Sequence, residues 1–158
     1  MHLLIYLKME QNMIEKAIEL AVENVHNGGG PFGAVIVMPN GNVYTGVNRV
    51  TDLNDPTAHA EVTAIRNACA REGTFDITGA VLYTSCEPCP MCLGAALWAR
   101  IDIKDIVYAA DRHDAAHAGF DDAEFYQVLA HSSPTRVGTH GYLSPFDAWR
   151  GKMDKTEY

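Results

Sequence analysis

Positive charge is scarce in this chain. Its 158 residues contain 12 Lys and Arg against 20 Asp and Glu, which gives a formal net charge of -8 at pH 7. Proteins that bind nucleic acids generally present clustered basic residues that neutralise phosphates, and the basic residues here are scattered along the chain. The composition therefore argues against a folded RNA as a partner and favours a small neutral molecule.

Long hydrophobic runs are also missing. The apolar stretch at residues 3–7 is too short to cross a membrane and has neither a basic leader nor a small-residue cleavage site. We therefore expect a cytoplasmic protein with no membrane partner. No repeat, linker or low-complexity stretch divides the chain, so residues 1–158 are predicted to form a single domain.

Cysteine is scarce too, and its distribution is uneven. Of the four cysteines, three lie close together at Cys86, Cys89 and Cys92, whereas Cys69 stands alone in an apolar helical stretch. Such crowding is more typical of metal binding in a reducing compartment than of a disulfide framework. We therefore predict no disulfides and treat the three crowded cysteines as candidate metal ligands.

The hydrophobic pattern predicts an α/β protein. Helices are expected at residues 10–26, at about 56–71 with Asp55 as the N-cap, at 90–99, at 120–129 and at 144–149. Strands are expected at 33–38 and 42–47, joined by the Asn40-Gly41 turn, and at 80–84 and 105–109, with a further candidate at 135–142. Strands that alternate with helices after an initial hairpin indicate a layered α/β fold with some parallel pairing.

Two short motifs carry the chemistry: His59-Ala60-Glu61 and Pro88-Cys89-Pro90-Met91-Cys92. One His and two Cys would hold one zinc ion per chain and leave its fourth position open to solvent or substrate. The combination H-x-E with P-C-x-x-C is the signature of zinc deaminases, in which the Glu carries protons and does not bind the metal. The two motifs therefore predict a zinc-dependent deaminase.

The predicted chemistry assigns a separate task to the metal and to Glu61. Zinc would lower the pKa of its bound water toward about 7, so that hydroxide attacks the amino-bearing ring carbon. Glu61 would take the proton and pass it to a ring nitrogen and then to the leaving amine, releasing ammonia. Two alternatives stay open: a redox Cys pair, or a closed structural site with Cys86 as the fourth ligand in a non-catalytic, zinc-stabilised binding module.

Through these motifs the chain resembles the cytidine-deaminase-like superfamily, and within it the bacterial guanine deaminases. The closer resemblance covers nearly the whole chain, through residues 29–37, 54–66, 83–89, 118–122 and 144–146 together with Tyr158. It implies a three-layer α/β/α fold with a mixed central sheet of about five strands. It also implies deamination of guanine to xanthine and ammonia in purine catabolism or salvage.

The resemblance also implies roles for individual residues. Zinc is held by His59, Cys89 and Cys92, while Glu61 and Asp122 are the catalytic carboxylates. Substrate-binding positions are Asn48 at the purine edge, Phe32 and Trp98 around the base, Ala60, and Tyr158 closing over the base. The family forms homodimers in which a C-terminal segment, about 130–158 here, crosses to the partner protomer.

The substrate and several of these roles have plainer alternatives. An Asp at position 122 could accept hydrogen bonds from the N–H groups of guanine, and adenine lacks the ring N–H at that edge. Guanosine, cytosine, adenine, an aminotriazine such as ammeline and a transfer-RNA adenosine remain alternative substrates. Phe32 and Trp98 could be plain core residues, Asn48 a turn former and Asp122 the cap of the following helix.

Overall fold

Helices alternate with strands along the chain in this computed structural model, which describes residues 2–135 and 143–157, with the backbone alone at residues 2–7. The helices are α1 (His2–His26), α2 (Val50–Leu53), α3 (Ala60–Glu72), α4 (Pro90–Trp98), α5 (Arg112–His117), α6 (Ala123–His131) and α7 (Ser144–Gly151). The strands are β1 (Gly33–Val37), β2 (Val43–Val47), β3 (Val81–Cys86) and β4 (Ile106–Ala110), with a 3-10 turn at Ile103–Asp105 before β4.

The strands form one mixed sheet in the order β2-β1-β3-β4. Strand β1 pairs antiparallel with both β2 and β3, whereas β3 and β4 are parallel and are connected through α4. The expectation of about five strands was wrong, because the described residues form four. After β4 the chain turns helical, since Asp111 and Asp114 form a capping box that starts α5. The candidate strand at 135–142 falls almost entirely outside the described residues.

Helices cover both faces of the sheet, which confirms the predicted layered α/β arrangement. On one face, Val35 and Tyr83 pack against Ala17 of α1, and all three are fully buried. The other face packs against α3 and α4 in a second core cluster, whose buried members include Ala34, Ile36, Leu82, Ala60, Ala64, Ala68 and Ala96. The alternation of side chains along β1 sends Val35 to one layer and Ala34 and Ile36 to the other.

The close approach of α3 to β2 depends on Gly46. A Cβ at this position would lie 2.3 Å from both the carbonyl oxygen of Ala60 and the amide nitrogen of Ala64. Because both neighbours are backbone atoms, no side-chain rotation could relieve the contact. The absence of a side chain at Gly46 therefore lets the first turn of α3 lie against the sheet. Glu61 of the His59-Ala60-Glu61 motif is part of that turn.

Three helix starts differ from the prediction, and the smallest shift is that of α6, which begins at Ala123 and not at residue 120. Helix α1 begins at His2, not near residue 10, so its first turns include the apolar stretch at residues 3–7. Asp55 does not cap a helix: its Oδ1 accepts hydrogen bonds from the backbone N and the hydroxyl of Thr57 at 2.8 and 2.7 Å. This local turn, which follows the left-handed residue Asn54 (φ 50°), delays α3 until Ala60. Among the described residues, no helix is long and apolar enough to span a membrane.

Candidate active site

Two helix starts meet at the site. His59 is the residue immediately before α3, and Cys89 is the residue immediately before α4; both have extended backbone angles. Neither side chain caps its own helix, so the imidazole and the thiol are free to point elsewhere. Pro90 occupies the first position of α4, where its fixed φ suits a helix and its missing N–H costs nothing.

His59, Cys89 and Cys92 point toward a common centre. The Nδ1 atom of His59 lies 3.6 Å from the sulfur of Cys89 and 3.5 Å from that of Cys92, and the two sulfurs are 3.6 Å apart. Tetrahedral zinc with ordinary bond lengths would require about 3.8 Å between sulfurs and about 3.6 Å between sulfur and nitrogen. The three residues therefore fit one zinc ion with little movement, and the structure brings them together as the spacing predicted.

The environment of the site favours a thiolate at Cys89. Its pKa is lowered to about 4, mainly by its hydrogen bond with the Cys92 thiol and also by the neighbouring His59. The same interactions raise the pKa of His59, chiefly through its contact with Cys89. The thiolate is the form of cysteine that binds metal, and the N-terminus of a helix stabilises its negative charge. The cluster is therefore electrostatically prepared for a cation.

Cys86 does not join the cluster. Its thiol points toward the carbonyl oxygen of Asp111 at 3.6 Å, and burial raises its pKa to about 11. Among the described residues, the group that could hold a metal ion around Cys89 consists of His59, Cys89 and Cys92. Cys86 is not part of it. This geometry disfavours the closed four-ligand site and leaves one face of the cluster open.

Glu61 lies beside the cluster without belonging to it. Its side chain is only 6% exposed, and burial raises its pKa above the usual range of a carboxyl group. One carboxylate oxygen accepts a hydrogen bond from the Thr84 hydroxyl at 3.3 Å, and the other lies 3.4 Å from the sulfur of Cys92. A raised pKa is what a carboxyl group needs to accept and return protons near neutral pH. Thr84 was not predicted, although a polar residue in an otherwise apolar strand is a signal for it.

A cavity of about 450 Å³ opens above His59 and Glu61, within the range of small-molecule sites. One wall is aromatic: the rings of Phe32 and Phe120 meet edge to face, with centroids 5.0 Å apart at 87°. The other lining residues are Gly28, Gly29, Gly30, Asn48, Val50, Thr51, Glu87, Cys89, Ala115, Asp121, Asp122 and Phe125. This shape suits a flat ring with a polar edge.

Two predicted polar residues, Asn48 and Asp122, line this cavity. Asn48 is buried and accepts a hydrogen bond from the Val50 backbone N at 3.3 Å, so it also serves its turn. Asp122 precedes α6 but makes no capping hydrogen bond. Its buried Oδ1 has no hydrogen-bond partner among the residues that the structure describes, and burial raises its pKa. A buried acceptor without a partner is costly, which is typical of a group that meets a ligand.

Two of the predicted binding residues, Ala60 and Trp98, lie elsewhere. Ala60 is fully buried in the core cluster between α3 and the sheet and is not part of the cavity lining. Trp98 is 69% exposed at the end of α4 and lines a separate surface depression with Gly94, Leu97 and Arg100. Tyr158 lies outside the described residues. The binding roles of these three residues stay predictions.

A charged pair not anticipated from the sequence supports the wall that carries Asp122. The backbone N and Nε of Arg112 donate to Glu87 Oε2 at 3.0 and 3.2 Å, and its Nη2 contacts Glu87 Oε1. The guanidinium also lies over the Tyr126 ring, 4.4 Å from its centroid. Arg112 therefore connects α6 to the turn that precedes Cys89, and it lowers the pKa of Glu87.

An open three-ligand metal cluster beside a buried carboxylate defines the class of zinc sites that activate water. Comparison with known proteins agrees with this class. The family model described as the cytidine and deoxycytidylate deaminase zinc-binding region matches residues 7–110. The chain therefore belongs to this zinc-binding deaminase family.

Individual relatives extend the similarity over most of the chain. Guanine deaminase of Bacillus subtilis (strain 168) is 50% identical over 155 residues, which cover 94% of this chain and 98% of that protein. Its X-ray structure matches with a TM-score of 0.87 at 49% identity. A guanine deaminase structure from Nitrosomonas europaea matches with a TM-score of 0.64 at 28% identity, covering 86% of this chain and 70% of that one. A tRNA-specific adenosine deaminase of Haemophilus influenzae is 34% identical, covering 77% of this chain and 73% of that protein.

Proposed function

We propose that this chain is a zinc-dependent guanine deaminase that converts guanine and water to xanthine and ammonia. The observation that carries the reaction type is Glu61, a buried carboxylate beside an open His/Cys/Cys cluster. Similarity over 94% of the chain to the guanine deaminase of Bacillus subtilis supports the choice of substrate. The net charge of -8 favours a free base over a transfer RNA.

The residues around the cavity divide the work of the reaction. Zinc held by His59, Cys89 and Cys92 would supply a water molecule of lowered pKa. Glu61, oriented by Thr84, takes one proton from that water and delivers it to the ring nitrogen. It then takes the proton of the hydroxyl newly attached to the ring carbon and passes it to the departing amine, which leaves as ammonia. Its raised pKa suits both transfers, because a strongly acidic carboxyl group would not hold the proton.

Recognition of the base is assigned to the cavity wall. Phe32 packs against the flat ring, and the adjoining Phe120 completes the aromatic surface. The carboxylate of Asp122, which lines the cavity, accepts hydrogen bonds from the N–H groups of guanine and assists the second proton transfer. Asn48 hydrogen-bonds another part of the purine edge.

Ammonia release from a panel of amino-bearing rings tests this function. We expect guanine to be turned over at least about a hundredfold faster than cytosine, adenine or ammeline, because a site that hydrogen-bonds one edge rejects rings lacking it. Each rate is measured against the Glu61→Gln chain purified in the same way, which reports any contaminating deaminase. Activity on cytosine with guanine inert would contradict the substrate, and absence of ammonia from every ring would contradict deamination itself.

We further propose a homodimer in which the segment from about residue 130 to 158 crosses to the partner protomer. Every residue of α7 is exposed, including the large apolar side chains of Phe146 and Trp149. Phe125, Val128 and Leu129 of α6 are exposed as well. Apolar surface of this extent is typical of a protein–protein interface, and a homodimer would bury it on both protomers.

Subunit mixing tests the crossing of this segment. The intact protein should have about twice the 17.3 kDa chain mass in solution. A chain lacking residues 152–158 and a Glu61→Gln chain should each be nearly inactive, because one lacks Tyr158 and the other lacks the proton carrier. Co-refolded in equal amounts, they should recover about a quarter of the wild-type activity if the tail completes the partner's site. A monomeric mass, or mixing that restores nothing, would contradict the proposal.

A further inference from the structure

We propose that Asn24, near the end of α1, is a positioning residue that, together with the Gly28–Gly30 segment, holds Asn48 in the geometry that binds the base. This inference rests on the proposed function, because it assigns the base-binding edge to Asn48. Asn24 does not line the cavity, whereas Asn48 and all three glycines do. Any effect of Asn24 on binding must therefore pass through these neighbours.

The amide of Asn24 connects two separate parts of the cavity wall. Its Nδ2 donates one hydrogen bond to the carbonyl oxygen of Gly30 and another to that of Asn48, both at 2.8 Å. Both partners are carbonyl oxygens, which can only accept, so the orientation of the amide is determined by its contacts. The backbone carbonyl of Asn24 also accepts from the Gly29 N–H at 2.8 Å. Three hydrogen bonds thus tie the glycine segment and Asn48 to the helix.

The glycines let this connection form at close range. A Cβ on Gly29 would lie 2.4 Å from Nδ2 of Asn24, and a Cβ on Gly30 would lie 3.0 Å from the side chain of Asn48. Side chains at these two positions would thus push the segment away from the amide and from Asn48. The packing at Gly29 and Gly30 is therefore matched to Asn24 on one side and to the proposed base contact on the other.

Asn48 is consequently held from two directions. Its carbonyl oxygen accepts from Asn24, and its own backbone N–H donates to the carbonyl oxygen of Phe32 at 3.1 Å. With the backbone secured on both sides, the Asn48 side chain needs little further ordering when the base arrives. Contacts that order a binding group in advance increase affinity by removing that cost from the binding step. The expected signature is in substrate binding and not in the chemical step.

Kinetics of the Asn24→Ala variant test the proposal. We expect KM for guanine to rise about tenfold with kcat changed by less than about twofold, since an interaction equally important in the ground and transition states affects KM alone. Asn27→Ala is the matched control, because Asn27 lies at the same helix end and is exposed. Zinc content should equal that of the wild type. An unchanged KM in a folded Asn24→Ala chain would overturn the role.

The Asn24→Asp variant keeps the size of the side chain but places a carboxylate oxygen against two carbonyl oxygens. We expect its KM to rise more than that of Asn24→Ala, because repulsion replaces the two hydrogen bonds. The reverse order would overturn the account of the amide. Failure of both variants to fold would also overturn it, because Asn24 would then be a structural residue.

A double-mutant cycle separates positioning from stability. In chains that also carry Glu61→Gln, the dissociation constant of guanine is measured for Asn24→Ala, Asn48→Ala and the pair. If Asn24 acts through Asn48, the pair should bind within about twofold of Asn48→Ala alone. Additive losses would overturn the proposal. Lack of guanine turnover by the wild-type chain would instead contradict the proposed function, so the two failures are distinguishable.

Discussion

Replacement of Glu61 by glutamine should lower kcat on guanine about a thousandfold, the middle of the range for a lost proton carrier. Glutamine has nearly the same size and can still accept the Thr84 hydrogen bond, which is 3.3 Å long in the native chain. It cannot take up and release protons at neutral pH, so the substitution removes the chemistry and leaves the packing nearly unchanged. The measurement is ammonia release at saturating guanine.

Zinc content distinguishes a proton carrier from a metal ligand. Because Glu61 lies beside the His59, Cys89 and Cys92 group without being a member of it, Glu61→Gln should bind about one zinc per chain, as we expect of the wild type. Glu72→Gln is the matched control on the same helix: Glu72 accepts hydrogen bonds from Asn42 and Tyr44 at the far end of α3 and should not affect kcat. Loss of zinc, or a kcat within tenfold of wild type, would contradict the assigned role.

The metal cluster could be predicted because its geometry is local. Cys89 and Cys92 lie three residues apart at a helix start, and Pro90 marks that start in the sequence. His59 and Glu61 are two residues apart at a second helix start. Each half of the site is therefore determined by a few consecutive residues. The two halves meet because the α/β layering brings the starts of α3 and α4 together.

The second layer of the site could not be predicted in the same way. Asn24 contacts Asn48 across 24 residues of chain, Thr84 reaches Glu61 across 23, and Arg112 reaches Glu87 across 25. No short motif or periodicity records such pairs, because they depend on how separate elements pack. The same limit explains Trp98, whose place on an exposed end of α4 depends on what packs there and not on its own helix.

Local competition explains the misplaced start of α3. Asp and Pro are strong helix-start residues, so Asp55 followed by Pro56 resembles an N-cap and a first helical position. Asp55 instead binds the backbone N and hydroxyl of Thr57, two residues ahead, and this turn also lowers the pKa of the carboxyl group. Short polar side chains favour such turns and caps for the same reason, so sequence alone does not separate them.

Replacement of Asp122 by asparagine should lower kcat/KM for guanine about a hundredfold without lowering the unfolding temperature. Asp122 lines the cavity, and no described residue hydrogen-bonds its buried Oδ1. Burial and the nearby Cys89 both raise the pKa of Asp122, so the ionised carboxylate lowers the stability of the folded protein. Removing that charge should therefore cost binding and catalysis but no stability.

A structural carboxylate provides the comparison. Asp76, in the turn before β3, accepts hydrogen bonds from the backbone N and hydroxyl of Thr78 at 3.0 and 2.6 Å. Asp76→Ala should lower the unfolding temperature and leave kcat/KM unchanged, the opposite of Asp122→Asn. Thermal unfolding, zinc content and guanine kinetics are measured on both variants. If Asp122→Asn also unfolds at a lower temperature, with activity falling only in proportion to the folded fraction, Asp122 supports α6 and does not meet the base.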